Sequence, residues 1–436
     1  MAAAVDGTYV AGFLGMRGTG DWSNEERPKR FREGMLYMYP NGKMPITGIM
    51  SMGRSERIND PEYKWFSKNL AIQGGAVTAT YKEAALSNAY TSEAGTVGLD
   101  VYAQVAEAVT GHFRIGHTVV LVVKQSSTGG DNSKTCFGKV VAKNENGANS
   151  WIKVKLRATC AASIIGSANY IDIVGSANPE GGTIPDAISY DPSKYTGYTQ
   201  IFRTPLDITR TMRRTKMRTG DVYKEAKREA LLYHGIELEM ATLLGSPSEV
   251  TGSNGKPERT TGGIIDFIST NKSDNMLYFP DETAKWKAVG EDWLDEKLEV
   301  LFRYGDTQKL AVCGSGAMLG ITQLVKLSGQ FSLTAATAAY GISVYRWITP
   351  FGEILLKTHP LYSFKPYLRN SITLFEPSNM KFNYIDDTHF KADTGEREAG
   401  QVAYDGTKEE FLTEGGYEFH FPETMMHLSG VGVDGV

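Results

Sequence analysis

Hydrophobic and polar positions change rhythm several times along this chain. Between Tyr198 and Thr211 the apolar residues Ile201, Phe202, Leu206 and Ile208 are interleaved with polar residues and threonines, the spacing of a strand with one covered face. Pro205 in the middle suits a sheet edge, because proline cannot donate to a ladder. A basic run follows. From Asp221 to Leu244, about 24 residues contain no proline; Asp221 predicts an N-cap and Gly245 a stop, so a helix on the order of 36 Å long is expected.

Elsewhere the pattern is shorter in range. Residues 1–60 carry repeated glycine, three prolines and the mixed charge run Asp21 to Glu33, with little amphipathic period, and read as an extended N-terminal arm. Residues 61–100 contain a strand signal at Ala76 to Tyr81. Residues 101–186 hold four short apolar strands separated by Gly, Asn and Ser turns, Val119 to Val123, Phe137 to Val141, Trp151 to Leu156 and Tyr170 to Val174, which predict a small inserted β-barrel or sandwich. After the long helix come a helix at Trp293 to Tyr304, a strand at Lys309 to Gly314, a helix at Met318 to Leu327, and a hairpin of Ile342 to Ile348 with Glu353 to Thr358. The charge-free stretch Leu327 to Tyr345 reads as a small-residue segment near a core, and the tail from Ser371 as strands. The class is α+β.

Composition narrows the function. With 436 residues, 41% hydrophobic and 22% charged, the chain can bury two or three cores. A net charge of −4 argues against a protein that coats nucleic acid through its overall field. Cys136, Cys160 and Cys313 lie far apart without a CxxC pair, so neither a zinc site nor a disulfide scaffold is expected, and a reducing site of synthesis fits. The start lacks a signal peptide's basic head and apolar core, and no apolar run reaches the roughly 18 residues of a membrane helix.

Motifs for catalysis are weak. Gly314 to Gly320 follows a predicted strand and opens a predicted helix, but its spacing is GxGxxxG, and no Asp or Glu occurs between Asp306 and Glu353 to hold a ribose; a structural turn is the expectation. Gly129 to Thr135 lacks the glycine before lysine that a phosphate loop needs. The seven histidines show no HxxxH spacing, and His234 in the middle of the long helix is expected to pack rather than act as a base. No catalytic residue, cofactor or metal is expected; Asp386-Asp387 and Glu409-Glu410 read as solvated faces more than as cation ligands.

The Tyr198 to Phe202 arm, Ile208 to Thr211 and the helix ending His234 to Gly245 together resemble major capsid proteins of tailed bacteriophages with the Hong Kong 97-type fold, in the SU-ten-like branch. Gly255 to Ile264, Met44 to Ile49 and Asp60 to Trp65 add to the likeness. That resemblance implies an N-terminal arm (1–60), E-loop hairpin arms (61–100 and 187–219), the inserted domain (101–186), a peripheral domain with a spine helix (220–265), an axial domain (266–370), and return strands of the peripheral domain (371–436). It implies hexamers and pentamers of the chain itself in an icosahedral head, with packaged DNA on the inner face, and portal, scaffold and decoration proteins as candidate partners. Assembly would take place in the host cytoplasm, and no membrane is involved. Encapsulin compartments share the fold and are the alternative; a nucleotide-dependent enzyme using the Gly314 loop is the more distant one.

Charge is the one feature that is organised over long range. From Arg203 to Arg228 there are nine basic and three acidic residues; from Asp386 to Glu423 there are eleven acidic and three basic. Two solvated faces would account for this, and so would complementary contact between subunits. On the second reading Arg210, Arg213, Arg214 and Arg218 meet Asp386, Glu409 and Glu410 across a subunit boundary.

Overall fold

The structure is a computed structural model and describes residues 54–68, 73–91, 93–123, 135–161, 164–215, 221–279, 285–328, 333–339, 342–393 and 405–434. The expected N-terminal arm up to residue 53, most of the Gly129 to Thr135 stretch within 124–134, and the segment 216–220 therefore lie outside the described residues. Two compact units form: Phe66–Lys194 is one, and the residues before and after it make the other.

The inserted unit is a closed barrel of six antiparallel strands, ordered Gly74–Tyr81, Asp100–Val105, Trp151–Leu156, Thr135–Asn144, His117–Val122 and Tyr170–Ser176. Period-2 alternation fills it. Val101, Ala103 and Val105, Val119 and Leu121, and Ile152, Val154 and Leu156 point inward and are buried. The unit is wider than 101–186. Ala76 to Tyr81, assigned above to a hairpin arm, is a barrel strand, and Asp100–Val105, which the sequence reading did not single out, closes the barrel beside it. Closing removes both sheet edges, which six strands can do and four cannot. Curvature also brings Cys136 and Cys160, 24 positions apart, to a Cα separation of 5.4 Å, and they form a disulfide. This corrects the expectation of three separate thiols.

In the other unit a seven-stranded mixed sheet runs in the order Met276–Tyr278, Met426–Ser429, Ile372–Phe375, Gln308–Cys313, Glu353–Thr358, Ile342–Ile348 and Leu333–Ala339. Ala311 and Cys313 face helices Trp286–Phe302 and Ser315–Ser328, packing with Leu294, Leu298 and Ile321. Leu310 and Val312 face the other way, toward Leu243, Ile264, Phe267 and Tyr362. Burial on both faces explains the near-continuous apolar runs of its central strands. The boundary drawn at residue 371 runs through this sheet, because Ile372–Phe375 pairs with Gln308–Cys313. Gly314 and Gly320 are packing glycines: a Cβ at Gly314 would lie 2.2 Å from the Arg369 carbonyl oxygen, and one at Gly320 would lie 2.5 Å from Gly432 Cα.

A second sheet has four strands, in the order Arg54–Arg57, Met380–Lys391, Gly406–Phe419 and Gln200–Thr209. Gln200–Thr209 is an edge, as Pro205 predicts, and it buries Phe202, Thr204, Leu206 and Ile208 on alternate positions. Its partner is Gly406–Phe419 rather than an outgoing hairpin arm. The strands that pair where the chain leaves and re-enters this unit are Glu62–Ser67 and Ser193–Tyr198, and there the rings of Trp65 and Tyr195 stack with centroids 5.7 Å apart.

The long helix spans Val222–Leu244, with the Asp221 carboxylate accepting from Tyr223 N at 3.0 Å. His234 on its buried face bonds Thr204 Oγ1 (2.9 Å) through Nδ1 and Thr413 Oγ1 (2.7 Å) through Nε2. It ties the helix to two neighbouring strands, and burial holds its imidazole below the usual range.

Candidate subunit-contact surface

Consecutive strand residues point to opposite faces, and that period decides the fate of the acidic pair. Glu409 lies opposite Leu206 and Glu410 opposite Pro205. Glu409 therefore turns inward with Leu206, is 8% exposed, and accepts from the Tyr223 hydroxyl at 2.7 Å. Glu410 turns outward and takes a bidentate bond from Arg203, Nε to Oε2 and Nη2 to Oε1, both 2.7 Å. In register Arg203 sits opposite Leu412, so this is a diagonal cross-strand pair. The guanidinium holds the Glu410 carboxyl below the usual carboxylate range. Two adjacent glutamates thus have separate partners within the chain, and they do not act as a pair.

The arginines divide in the same way. Thr209 caps the short helix Arg210–Arg214 by accepting from Met212 N at 3.3 Å. Arg210 pairs with Asp405, Nε to Oδ1 at 2.6 Å, with both side chains largely exposed. Arg213 lies over the Tyr223 ring, 4.8 Å from its centroid. Tyr223 is thereby held from two sides; the hydrogen bond to Glu409 and partial burial push its phenol up while the Arg213 charge opposes them. Arg214 is exposed and has no ion-pair partner among the described residues. Arg218 lies outside the described residues.

Asp386 sits on an irregular stretch of Met380–Lys391, opposite Glu414 and between two register shifts. It is exposed, and His389 Nδ1 is 3.6 Å from Oδ2. Among the described residues, none of Arg210, Arg213 and Arg214 contacts Asp386, Glu409 or Glu410 within the subunit; Arg203 pairs with Glu410, Tyr223 with Glu409, and Asp405 with Arg210. Arg203 was counted in the basic run without being singled out. Its partner lies 207 residues away, and strand register was the missing signal.

A buried ion pair and a buried histidine–carboxylate hydrogen bond were also invisible in the sequence. Lys309 Nζ, with a fully buried side chain, reaches Glu376 Oε1 at 2.5 Å and the Tyr304 carbonyl oxygen at 3.0 Å. His359 Nδ1 accepts from Leu361 N at 3.1 Å, which leaves Nε2–H to donate to Glu239 Oε1 at 2.6 Å. Among the described residues no group of three or more His, Cys, Asp or Glu could hold a metal ion.

A family model described as SU10 major capsid protein matches residues 33–432. The major capsid protein of Pseudomonas phage PaMx41 is 25% identical over 386 residues, covering 86% of this chain and 84% of its own length. Of solved structures, a chain from Mycobacterium phage Bobi aligns over 94% of this chain and 98% of its own, with 6% identity and a TM-score of 0.45. The SrpI encapsulin of Synechococcus elongatus aligns over 58% of this chain and 79% of its own, with 12% identity and a TM-score of 0.38.

Proposed function

Because the chain belongs to the SU10 major capsid protein family and is thus a phage major capsid protein of the virion shell, we propose that it builds this shell in the Hong Kong 97 manner. Hexamers and pentamers of the chain close an icosahedral head around packaged double-stranded DNA, assembled in the host cytoplasm with portal, scaffold and decoration proteins. The observation that carries this reading is the single family match over residues 33–432, which runs through both compact units. A major capsid protein works by association with copies of itself. Its chemistry is the burial of complementary surface.

Of the candidate contact residues, Arg213, Arg214 and Asp386 keep exposed charge to offer another copy, with Arg218 outside the described residues. Arg210, Glu409 and Glu410 serve the subunit's own second sheet first. Rim charges of this kind set register and association rate more than affinity.

Electron microscopy of the purified full-length protein tests the proposal. Closed shells of uniform size with hexameric and pentameric capsomers are expected, and virion shells should hold DNA. Shells filled with protein cargo and free of DNA would instead favour a compartment, and absence of any closed particle would overturn the proposal.

A further inference from the structure

The barrel carries a cavity of about 430 Å3 on its outer surface. Strand register builds its floor. Trp151 lies opposite Gln104 on one neighbouring strand and opposite Asn144 on the other, so three side chains form a row on one face while Ile152 turns into the core. Tyr102, two positions from Gln104 and on the same face, meets the Trp151 indole edge to face at 5.0 Å between centroids and fixes it. Tyr81 and the turn residues Asn146 and Asn149 complete the rim.

That turn is held in place before any ligand arrives. Gln104 Nε2 donates to the Ala148 carbonyl oxygen at 2.9 Å, Asn146 N donates to Ser150 Oγ at 2.9 Å, and Ser150 Oγ donates to the Gly147 carbonyl oxygen at 2.8 Å. On the opposite wall Leu86 has a φ of 53°, a left-handed conformation that a branched residue rarely adopts. Yet the hydrogen-bonding capacity facing outward is unspent. The side-chain amides of Asn144, Asn146 and Asn149, the Gln104 oxygen, the Tyr81 hydroxyl and the Trp151 indole N–H have no partners among the described residues.

We propose that this cavity binds a neutral saccharide unit of a glycan. A carboxamide presents a donor and an acceptor in one plane, matching a pair of neighbouring sugar hydroxyls, and the Trp151 indole N–H adds a further donor. No charged side chain lines the cavity, and the lysines beside its lining residues in the chain are paired, Lys82 with Glu93, Lys143 with Glu145 and Lys153 with Asp100. A phosphate-bearing ligand therefore has no charged partner here. On a capsid the site repeats with every subunit, so a weak single-site affinity becomes firm attachment through multivalency.

Saturation-transfer NMR on assembled particles of the full chain tests this, using methyl glycosides of glucose, galactose, mannose and N-acetylglucosamine at about 10 mM, a concentration suited to the millimolar affinity of a small open site. Transfer to the ring protons of at least one glycoside is expected. Asn149→Ala and Gln104→Ala should each weaken binding about fivefold, the effect of one lost hydrogen bond, and Trp151→Ala, which removes a donor and the floor beneath the amides, should weaken it at least as much. Because Trp151 also braces Tyr102, the exposed Asn149 keeps the test independent of folding. No transfer from any glycoside, unchanged affinity in the Asn149 and Gln104 variants, or tighter binding of adenosine or uridine than of every glycoside would each overturn the proposal.

Discussion

Acid should loosen the seven-stranded sheet through His427. This histidine lies on Met426–Ser429, is 6% exposed, and burial pushes its imidazole down to about 4. Its Nδ1 shares a 2.8 Å hydrogen bond with Thr373 Oγ1, which in turn lies 2.7 Å from the Tyr362 hydroxyl. Neutral His427 can accept from Thr373 while Thr373 accepts from Tyr362. A protonated Nδ1 must donate instead, which turns the Thr373 proton away and leaves it without its acceptor. The unfolded imidazole titrates near 6.5, so between that pH and about 4 the unfolded chain binds the extra proton and stability falls as the pH drops. Linkage gives a loss of about 2 kcal/mol between pH 7.5 and 5, reaching about 3 kcal/mol at pH 4. Urea denaturation of unassembled subunits at pH 7.5 and 5, with His427→Gln alongside, isolates this contribution, because the variant cannot titrate there. The wild type should lose about 2 kcal/mol more than the variant. Equal losses in the two proteins would refute the reasoning.

The buried Lys309–Glu376 pair makes a second prediction: Lys309→Met should cost about 3–5 kcal/mol by stranding the Glu376 carboxylate, and adding Glu376→Gln should recover most of it in the same denaturation assay. At the candidate contact surface, Arg213→Glu with Arg214→Glu should slow shell formation seen by light scattering, and Asp386→Lys in the same chain should partly restore it; assembly unaffected by the reversal and by salt from about 0.05 to 0.5 M would exclude an electrostatic contact. Glu409→Lys with Glu410→Lys should instead destabilise the subunit itself, because Tyr223 and Arg203 lose their partners, and a lower urea midpoint would register this. Replacing residues 66–194 with a short Gly/Ser linker should leave the remaining unit folded, as judged by cooperative melting, since the stacked Trp65 and Tyr195 rings mark chain ends already side by side.

Local signals were legible in the sequence and long-range pairings were not. The helix Val222–Leu244 announces itself through Asp221, the absence of proline and Gly245, all within one stretch of chain, and the hairpin of Ile342–Ile348 with Glu353–Thr358 is equally local. Individual barrel strands were readable from alternation. Their number was not, because Gly74–Tyr81 and Asp100–Val105 look like any isolated strand until closure joins them to partners some 50 to 100 positions away. The candidate site shows the same division. A strand period of two already implies that Glu409 and Glu410 separate onto opposite faces, but Arg203 and Tyr223 enter only through register and helix docking. Lys309 and His427 carried a weaker signal, each a polar residue set among apolar neighbours on a short strand, and the partner that makes burial tolerable lies 67 positions away in one case and 54 in the other.

The joined ends of the barrel bear on how such a shell can change over time. Where two strands pair and two aromatic rings stack at the point of departure and return, the host unit keeps its own hydrogen bonds whatever is carried between them. Selection can then exchange, enlarge or discard the carried domain as a cassette, while the host unit drifts under its own separate constraints. The same junction gives an engineer a graft point at which a foreign domain with neighbouring termini would be carried once per subunit.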